Sequence, residues 1–298
     1  MKFVFVKDWG AFLGAEKGMF YCKVKGREIW RISPAEVRSI ILLSDAIIST
    51  NAIKLANEFG VEMIFFERGQ PVAKVINAKY GGSMRVWLNQ LKTWKKRRSE
   101  IAREFVRGKL HNQIVVLNYY RRKYDKDLVK EIGELDRLRG EVLGLNDVKD
   151  IMGREAEGAK WYWEGVRKIL PSSLHFKARL KRGAKDTFNI ALNIGYGMLR
   201  SRVWGAVISA GLNPYVGFLH SLRSGRVSLV FDLMEEFRSP FVDKPLISKA
   251  REDAEKVKDV KEIYSLLSSS ILEEEIYSQA RKLAEAMVDG EYRPYLSR

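Results

Sequence analysis

The first 78 residues have the hydrophobic pattern of short β-strands. Phe20, Cys22 and Val24 alternate with a tyrosine and two lysines, which is the two-residue period of a half-buried strand. One short helix, 52–59, is predicted in this region, with Asn51 as its cap and Gly60 at its end. Other apolar runs predict further strands at 28–32, 40–43, 47–48, 61–66 and 72–76. The pattern therefore predicts a β-rich domain over residues 1–78.

The pattern becomes that of helices after residues 79–84, which contain two glycines, show no apolar periodicity and are predicted to form a linker. From residue 85, apolar side chains such as Leu88, Leu91 and Phe105 recur at helical spacing. Further helices are predicted at 114–124, 128–138, 154–169, 187–210 and 253–288, and loops at Pro171, Pro214, Pro240 and Pro245. The predicted fold class is α+β, a small N-terminal β-rich domain followed by a larger all-α domain over residues 85–298.

Charge changes this picture, because the chain of 298 residues has a formal net charge of +16. Residues 86–123 contain 11 lysines and arginines against 2 acids, and residues 160–205 contain 10 against 2. A surface of stabilising ion pairs would need both signs, so these stretches favour contact with a polyanion such as nucleic acid. The predicted contact residues are Lys92, Lys95, Lys96, Arg97, Arg98, Lys181 and Arg182. The alternative for the 92–98 run is a solvated helix face around a core tryptophan.

Cysteine content and hydropathy exclude several classes of protein. Cys22 is the only cysteine, which excludes disulfides within the chain and cysteine-based metal clusters. The N-terminal residues show no signal-peptide pattern, and no apolar run is long enough to cross a bilayer. We therefore expect a cytoplasmic protein with no membrane partner.

The candidate chemistry lies in three acidic residues and one of the three histidines. His220 follows a loop over 212–217, and Asp232 and Glu235 are spaced to share one face of a helix. Glu155 supplies another carboxylate, and one histidine with two acids makes a mixed nitrogen and oxygen ligand set that suits Mn²⁺ or Mg²⁺ better than a thiolate-rich zinc site does. The structural alternatives are a lone structural histidine, a surface Glu155, and a helix start made acidic for its dipole. In that last case Glu236 would pair with Arg238 or Arg223.

Three segments together resemble the signature of a known family. They are Gly153-x-Glu155 followed by Ala159 and Tyr162-Trp163, then 211–214 leading to 217–220, and finally 228–240. Asn189, Asn193 and 195–197 lie between them and are similar to the family's asparagine and tyrosine-glycine stretch. The chain therefore resembles the CRISPR-associated integrases, the universal adaptation proteins and first of the CRISPR-associated proteins. One departure is Asp186-Thr187, where the family usually has aspartate-proline.

The resemblance implies a metal-dependent DNA endonuclease and integrase that inserts short duplex DNA into a CRISPR repeat array by transesterification. It places the ligands of Mn²⁺ or Mg²⁺ on Glu155, His220 and Glu235, with Asp232 as an acidic neighbour in the catalytic site. It also implies a homodimer that joins a small dimeric partner, the second CRISPR-associated protein. The helical domain over 85–298 would then be catalytic.

Two other functions remain open from the residues alone, a non-catalytic nucleic-acid-binding scaffold and a metal-dependent nuclease acting on RNA.

Exposed strand edges further predict that residues 1–78 form the homodimer. Glu235 is expected to bind the ion directly, and Asp232 to orient a ligand or water. Removing either carboxylate is expected to leave thermal stability near normal, because each substitution takes one carboxylate out of a repulsive cluster.

Overall fold

The structure is a computed structural model that describes residues 2–68, 70–75 and 82–298. It divides into two units, one made of Met1–Trp87 with Ile208–Leu212, the other of Leu88–Val207 with Asn213–Arg298. Residues 79–81 of the predicted linker, and the predicted strand end at 76, lie outside the described residues. Gly82, Ser83 and Met84 are helical, which corrects the linker at its C-terminal end. Glycine and serine are tolerated there because the first turn of a helix has free N–H groups.

The first unit contains two four-stranded sheets among its described residues. One has the strand order β1 (Lys2–Val6), β5 (Val37–Leu42), β7 (Glu62–Glu67) and β8 (Gln70–Val75), parallel except for the last pair. The other has the order β4 (Arg27–Ile32), β3 (Met19–Val24), β2 (Ala11–Glu16) and β6 (Ala46–Ile48). Leu13 and Phe20 from one sheet and Ile40 and Met63 from the other are fully buried in one apolar core.

Helix α1 (Thr50–Phe59) follows the predicted position but has a different cap. The side chain of Ser49 accepts a hydrogen bond from the amide of Ala52 at 3.2 Å, so Ser49 and not Asn51 caps the helix. Ser49 has the extended backbone of a cap residue, whereas Asn51 already lies in the first turn. Gly60 ends the helix with a φ of 67°, as its position predicted.

The second unit is helical. Its helices are α2 (Gly82–Tyr124, interrupted at Arg97), α3 (Val129–Val142), α4 (Val148–Ile169), α5 (Thr187–Ser209), α6 (Ser228–Arg238), α7 (Lys244–Glu252), α8 (Val260–Ser270) and α9 (Glu273–Asp289). The first residues of α2, up to Trp87, and the last two of α5 belong to the first unit. The predicted α+β fold class, with a β-rich N-terminal region before a mostly helical one, is confirmed. Among the described residues, no helix is long and apolar enough to span a membrane.

Two details of the helical unit differ from the sequence prediction. Pro240 and Pro245 are not in loops, because Pro240 lies in a π-helical turn (Ser239–Asp243) and Pro245 in the first turn of α7. Proline fits the start of a helical segment, where its missing N–H has no partner to lose. The predicted helix over 253–288 is two helices, α8 and α9, separated at Ile271 and Leu272.

Candidate active site

A cavity of about 430 Å³ in the second unit brings together side chains from four helices and two loops. It is lined by acids, bases and aromatic residues, among them Lys109, Glu155, Trp163, Lys177, Arg179, Lys181, Tyr196, His220, Glu235, Arg238 and Asp243. Glu155, His220 and Glu235, which are 80 residues apart at their extremes, therefore lie on one cavity. Asp232 does not line this cavity but contacts the His220 ring at Nδ1.

Close packing of α4 on α2 places Glu155 beside Lys109. A Cβ at Gly158 would lie 2.4 Å from the Leu110 side chain, so only glycine permits this approach of the two helices. Glu155 lies one turn before Gly158, and Lys109 precedes Leu110. Their carboxylate and ammonium consequently meet in an ion pair. Glu157 points to the other side of α4, where it pairs with Arg137 and Arg154.

Asp232 determines the conformation of the loop that ends in His220. Its carboxylate is fully buried and accepts hydrogen bonds from the amides of Phe218 (2.6 Å), Leu219 (3.0 Å) and His220 (2.9 Å). Nδ1 of His220 lies 2.6 Å from the same carboxylate. Because Nδ1 is engaged in this way, Nε2 is the ring nitrogen left for another ligand. Gly217 is required beside it, since a Cβ there would lie 2.8 Å from Asp232.

Helix α2 binds the same loop from the other side. Gln90 donates to the carbonyl oxygens of Asn213 and Val216, and its own side-chain oxygen accepts from the amide of Asn213. One turn later, the indole N–H of Trp94 donates to the carbonyl of Gly217 at 3.0 Å. No motif in the sequence pointed to Gln90, although its four-residue spacing from Trp94 is the signal that links the two.

Two acidic and two basic side chains of the cavity form ion pairs with one another. Lys109 pairs with Glu155 and lies 2.8 Å from Oε2 of Glu235, while Nε of Arg238 lies 3.1 Å from Oε1 of Glu235. Burial would raise the pKa of Glu235, but Arg238 and Lys109 outweigh it and lower that pKa. Burial would lower the pKa of Lys109, but the two carboxylates outweigh it and raise that pKa. Glu235 and Lys109 are therefore both charged at neutral pH.

The cavity contains side chains of the types that bind divalent metal ions. In the described part of the chain, no three His, Cys, Asp or Glu side chains are close enough to hold a metal together. Glu155 and Glu235 nevertheless converge on one cation, the ammonium of Lys109, which contacts both carboxylates. Two carboxylates and the Nε2 of His220 are the donor set that Mn²⁺ or Mg²⁺ accepts.

Asp243 adds a carboxylate that the sequence analysis did not consider. It accepts hydrogen bonds from the hydroxyl groups of Tyr162 at 3.0 Å and Tyr196 at 2.6 Å. Burial raises the pKa of Asp243 to about 6, although the two tyrosines and Arg238 oppose this. The guanidinium groups of Arg238 and Arg179 lie 4.6 and 5.0 Å from the centre of the Tyr196 ring. The two tyrosines were visible only as members of the family motifs.

The predicted phosphate contacts fall into two groups. Lys92, Lys95 and Lys96 are exposed on α2, and Lys181 lines the cavity, where burial and Arg238 lower its pKa although its side chain reaches solvent. Arg182 is exposed. Arg97 is engaged by Glu100 and the carbonyl of Gly290, and Arg98 donates to the carbonyl of Phe218 at 2.8 Å. Because Arg98 binds the loop before His220, its charge has a structural use that the sequence did not indicate.

Glu236 does not pair with Arg238 or Arg223, which corrects the alternative considered from the sequence. It is fully buried and accepts hydrogen bonds from the hydroxyl of Tyr292 at 2.6 Å and the amide of Tyr295 at 2.8 Å. Burial raises the pKa of Glu236 to about 8, against those two hydrogen bonds. Glu236 follows Glu235 on α6, so its side chain leaves the helix in another direction and binds the C-terminal segment.

Comparison with known proteins gives concordant results. The family model described as "CRISPR associated protein Cas1" matches residues 4–279. The CRISPR-associated endonuclease Cas1 1 of Saccharolobus solfataricus is 56% identical over 300 residues, which cover 100% of this chain and 84% of the relative. A chain of a partial Cas6-RT-Cas1–Cas2 complex superposes with a TM-score of 0.82 at 19% identity. The superposition covers 100% of this chain and 99% of that one. A casposase bound to its integration product has a TM-score of 0.75 at 21% identity, with 98% of each chain covered. At these identities, the two structures establish a shared fold.

Proposed function

The chain belongs to the Cas1 family of CRISPR-associated proteins, and from this premise we propose that it is a divalent-metal-dependent DNA endonuclease and integrase. It would insert short duplex DNA into a CRISPR repeat array by transesterification. The observation that carries the proposal is the convergence of Glu155 and Glu235 on one cation position, on the cavity that also exposes Nε2 of His220. A non-catalytic scaffold has no need of two buried or half-buried carboxylates brought together in this way.

Glu155, Glu235 and His220 would bind Mn²⁺ or Mg²⁺. The bound ion supplies Lewis-acid stabilisation of the charge that develops on the phosphoryl oxygens. The 3′-oxygen of a DNA end then forms a bond to a repeat phosphorus, and the bond from that phosphorus to the repeat's own 3′-oxygen breaks. The attacking hydroxyl loses a proton and the displaced oxygen gains one. One phosphodiester replaces another, so no nucleotide cofactor is needed.

The residues around the ligands position them and the phosphates. Asp232 fixes the tautomer and orientation of His220 through Nδ1, which leaves Nε2 toward the cavity. Lys177, Arg179 and Lys181 alternate along one segment and line the cavity, where they would attract backbone phosphates. The exposed lysines 92, 95 and 96 would extend this contact along the duplex without reading its sequence.

The proposed partners are double-stranded DNA, a second copy of the chain and the small dimeric second CRISPR-associated protein. Similarity to a chain solved within a Cas1–Cas2 complex and to a casposase bound to its integration product supports this assignment. We propose that residues 1–78 form the homodimer, because their two sheets have exposed edge strands. A monomeric mass in solution at micromolar concentration would contradict the dimer.

The test joins a labelled duplex to a supercoiled plasmid that bears repeats, with Mn²⁺ or with a chelator. Glu155→Gln and His220→Ala should abolish joining. Glu157→Gln and His175→Asn are matched controls, because Glu157 faces away from the cavity and His175 is an exposed histidine whose φ of 49° asparagine tolerates. Binding of the duplex without joining in the wild type with Mn²⁺ would identify a scaffold, and joining that survives the chelator and both site variants would contradict the proposed metal site. Cleavage of RNA without joining of DNA would identify a ribonuclease.

A further inference from the structure

Lys109 occupies an unusual place for a lysine, because it is buried at the centre of the cavity and 8% exposed. Its ammonium pairs with Glu155 and with Glu235, the two carboxylates assigned above to the metal. Position 109 is fixed by packing, since Gly108 lies against Pro294 and Leu110 against Gly158. The backbone therefore cannot withdraw, and only the side chain of Lys109 is able to change partners.

We propose that Lys109 couples metal binding to DNA binding. A divalent ion competes with its ammonium for Glu155 and Glu235, and a DNA phosphate accepts the ammonium when the ion is bound. This inference rests on the metal-dependent function proposed above and adds a positioning residue to it.

The charges of the cavity carry the argument. Glu155 and Glu235 are balanced by Lys109 and Arg238, so this group of four has no net charge. A divalent ion added to it leaves two uncompensated positive charges in a partly buried site, which is unfavourable without an incoming anion. Backbone phosphates of DNA bring such charges. Metal and DNA should therefore bind cooperatively, each raising the affinity for the other by the same factor.

The burial of Lys109 explains why a phosphate must replace the carboxylates. A buried ammonium without a partner is costly, so Lys109 gives up its carboxylates readily only when another anion is within reach. Its side chain lines the same cavity as Lys177 and Lys181, whose ammonium groups would also attract a phosphate. Arg238 keeps its contact with Glu235 and adds repulsion that favours movement of Lys109 away from the acids.

The experiment measures Mn²⁺ affinity by electron paramagnetic resonance, with and without a short duplex whose 3′ ends are dideoxy and cannot attack. In the wild type, the duplex should tighten Mn²⁺ binding by at least about tenfold, which corresponds to about 1.4 kcal/mol. Lys109→Met should bind Mn²⁺ at least about tenfold more tightly than the wild type without DNA, and should lose most of the effect of the duplex. Lys109→Arg keeps the charge and should behave as the wild type.

Lys160→Met is the matched control, because Lys160 is an exposed lysine of the same cavity and makes no ion pair with either carboxylate. It changes the net charge equally and should keep the wild-type coupling. Equal Mn²⁺ affinity and equal response to the duplex in the wild type and Lys109→Met would overturn the inference and leave the proposed metal site intact. If Lys109→Met does not fold, the wild type alone tests the coupling. A wild-type Mn²⁺ affinity that does not change when the duplex is added would overturn it. An absence of Mn²⁺ binding in every protein, with and without duplex, would overturn the proposed function as well.

Discussion

Replacement of Asp232 by alanine should destabilise the loop that carries His220. The change removes the acceptor of three backbone amides, those of Phe218, Leu219 and His220, and of the His220 ring. This differs from the near-normal stability expected from the sequence, because Asp232 does not lie in a repulsive cluster. It is a fully buried carboxylate surrounded by hydrogen-bond donors.

The expected free-energy loss in Asp232→Ala comes from the two amides that water cannot reach. Phe218 and Leu219 are 0% and 1% exposed, whereas the side chain of His220 is 21% exposed and can turn to solvent. Leaving a buried donor unsatisfied costs about 1–3 kcal/mol, and a hydrogen bond to a charged group contributes about 1.5–3 kcal/mol. We therefore expect a local loss of about 3–6 kcal/mol in Asp232→Ala. Asp232→Asn retains one acceptor oxygen and should lose about half of that.

Hydrogen exchange of the peptide over 217–220, followed by mass spectrometry without metal, measures this loss where it occurs. About 3 kcal/mol corresponds to more than a hundredfold loss of amide protection, at about 1.4 kcal/mol for each factor of ten. Asp147→Ala is the control, because Asp147 is an exposed helix cap that accepts one amide hydrogen bond, from Lys149 at 2.9 Å. Its removal should cost about 1 kcal/mol and leave 217–220 protected. Unchanged protection of this peptide in Asp232→Ala would refute the reasoning.

Three further variants test other parts of the helical unit. Glu236→Gln should remove a pH dependence of the free energy of unfolding. Because burial raises the pKa of Glu236 to about 8 in the folded protein, the wild type loses stability as pH rises from about 4.5 to about 8. The free energies of unfolding of the two proteins, measured by denaturant titration, should change in parallel below about pH 4.5 and diverge by up to about 5 kcal/mol by about pH 9. Parallel curves over the whole range would contradict the assignment. Changing Lys92, Lys95 and Lys96 to glutamate should weaken duplexes of every sequence alike and flatten the salt dependence of binding. An equal charge change at Lys256, Lys258 and Lys261 is the control, and equal losses in both would place the DNA elsewhere. Gly217→Ala should displace the His220 loop and lower Mn²⁺ affinity, because its Cβ would lie 2.7 Å from Cβ of Ser228. Gly197→Ala is the control, because a Cβ there meets open space and should change neither the loop nor the Mn²⁺ affinity. A normal Mn²⁺ affinity in Gly217→Ala would argue against this tight loop.

The sequence by itself determined the fold class and the family. Alternation of apolar residues over 20–24 and helical spacing from residue 88 are local patterns, and each element that they predict forms from neighbours in the chain. The family motifs were readable for the same reason, because each is a short run whose residues stand at fixed spacing. Their joint presence identified a family that the comparisons then showed.

Only the tertiary structure decided which charges meet. Lys109, Glu155 and Glu235 come from three helices, and no spacing in the chain predicts that one ammonium contacts both carboxylates. Asp232 and Glu235 share a helix, yet one binds backbone amides and the other lines the cavity. Arg98 belongs to a basic run but binds a carbonyl of the His220 loop. The partner of a charged side chain depends on packing between distant segments, such as the contact of Gly158 with Leu110, and local sequence does not contain that information.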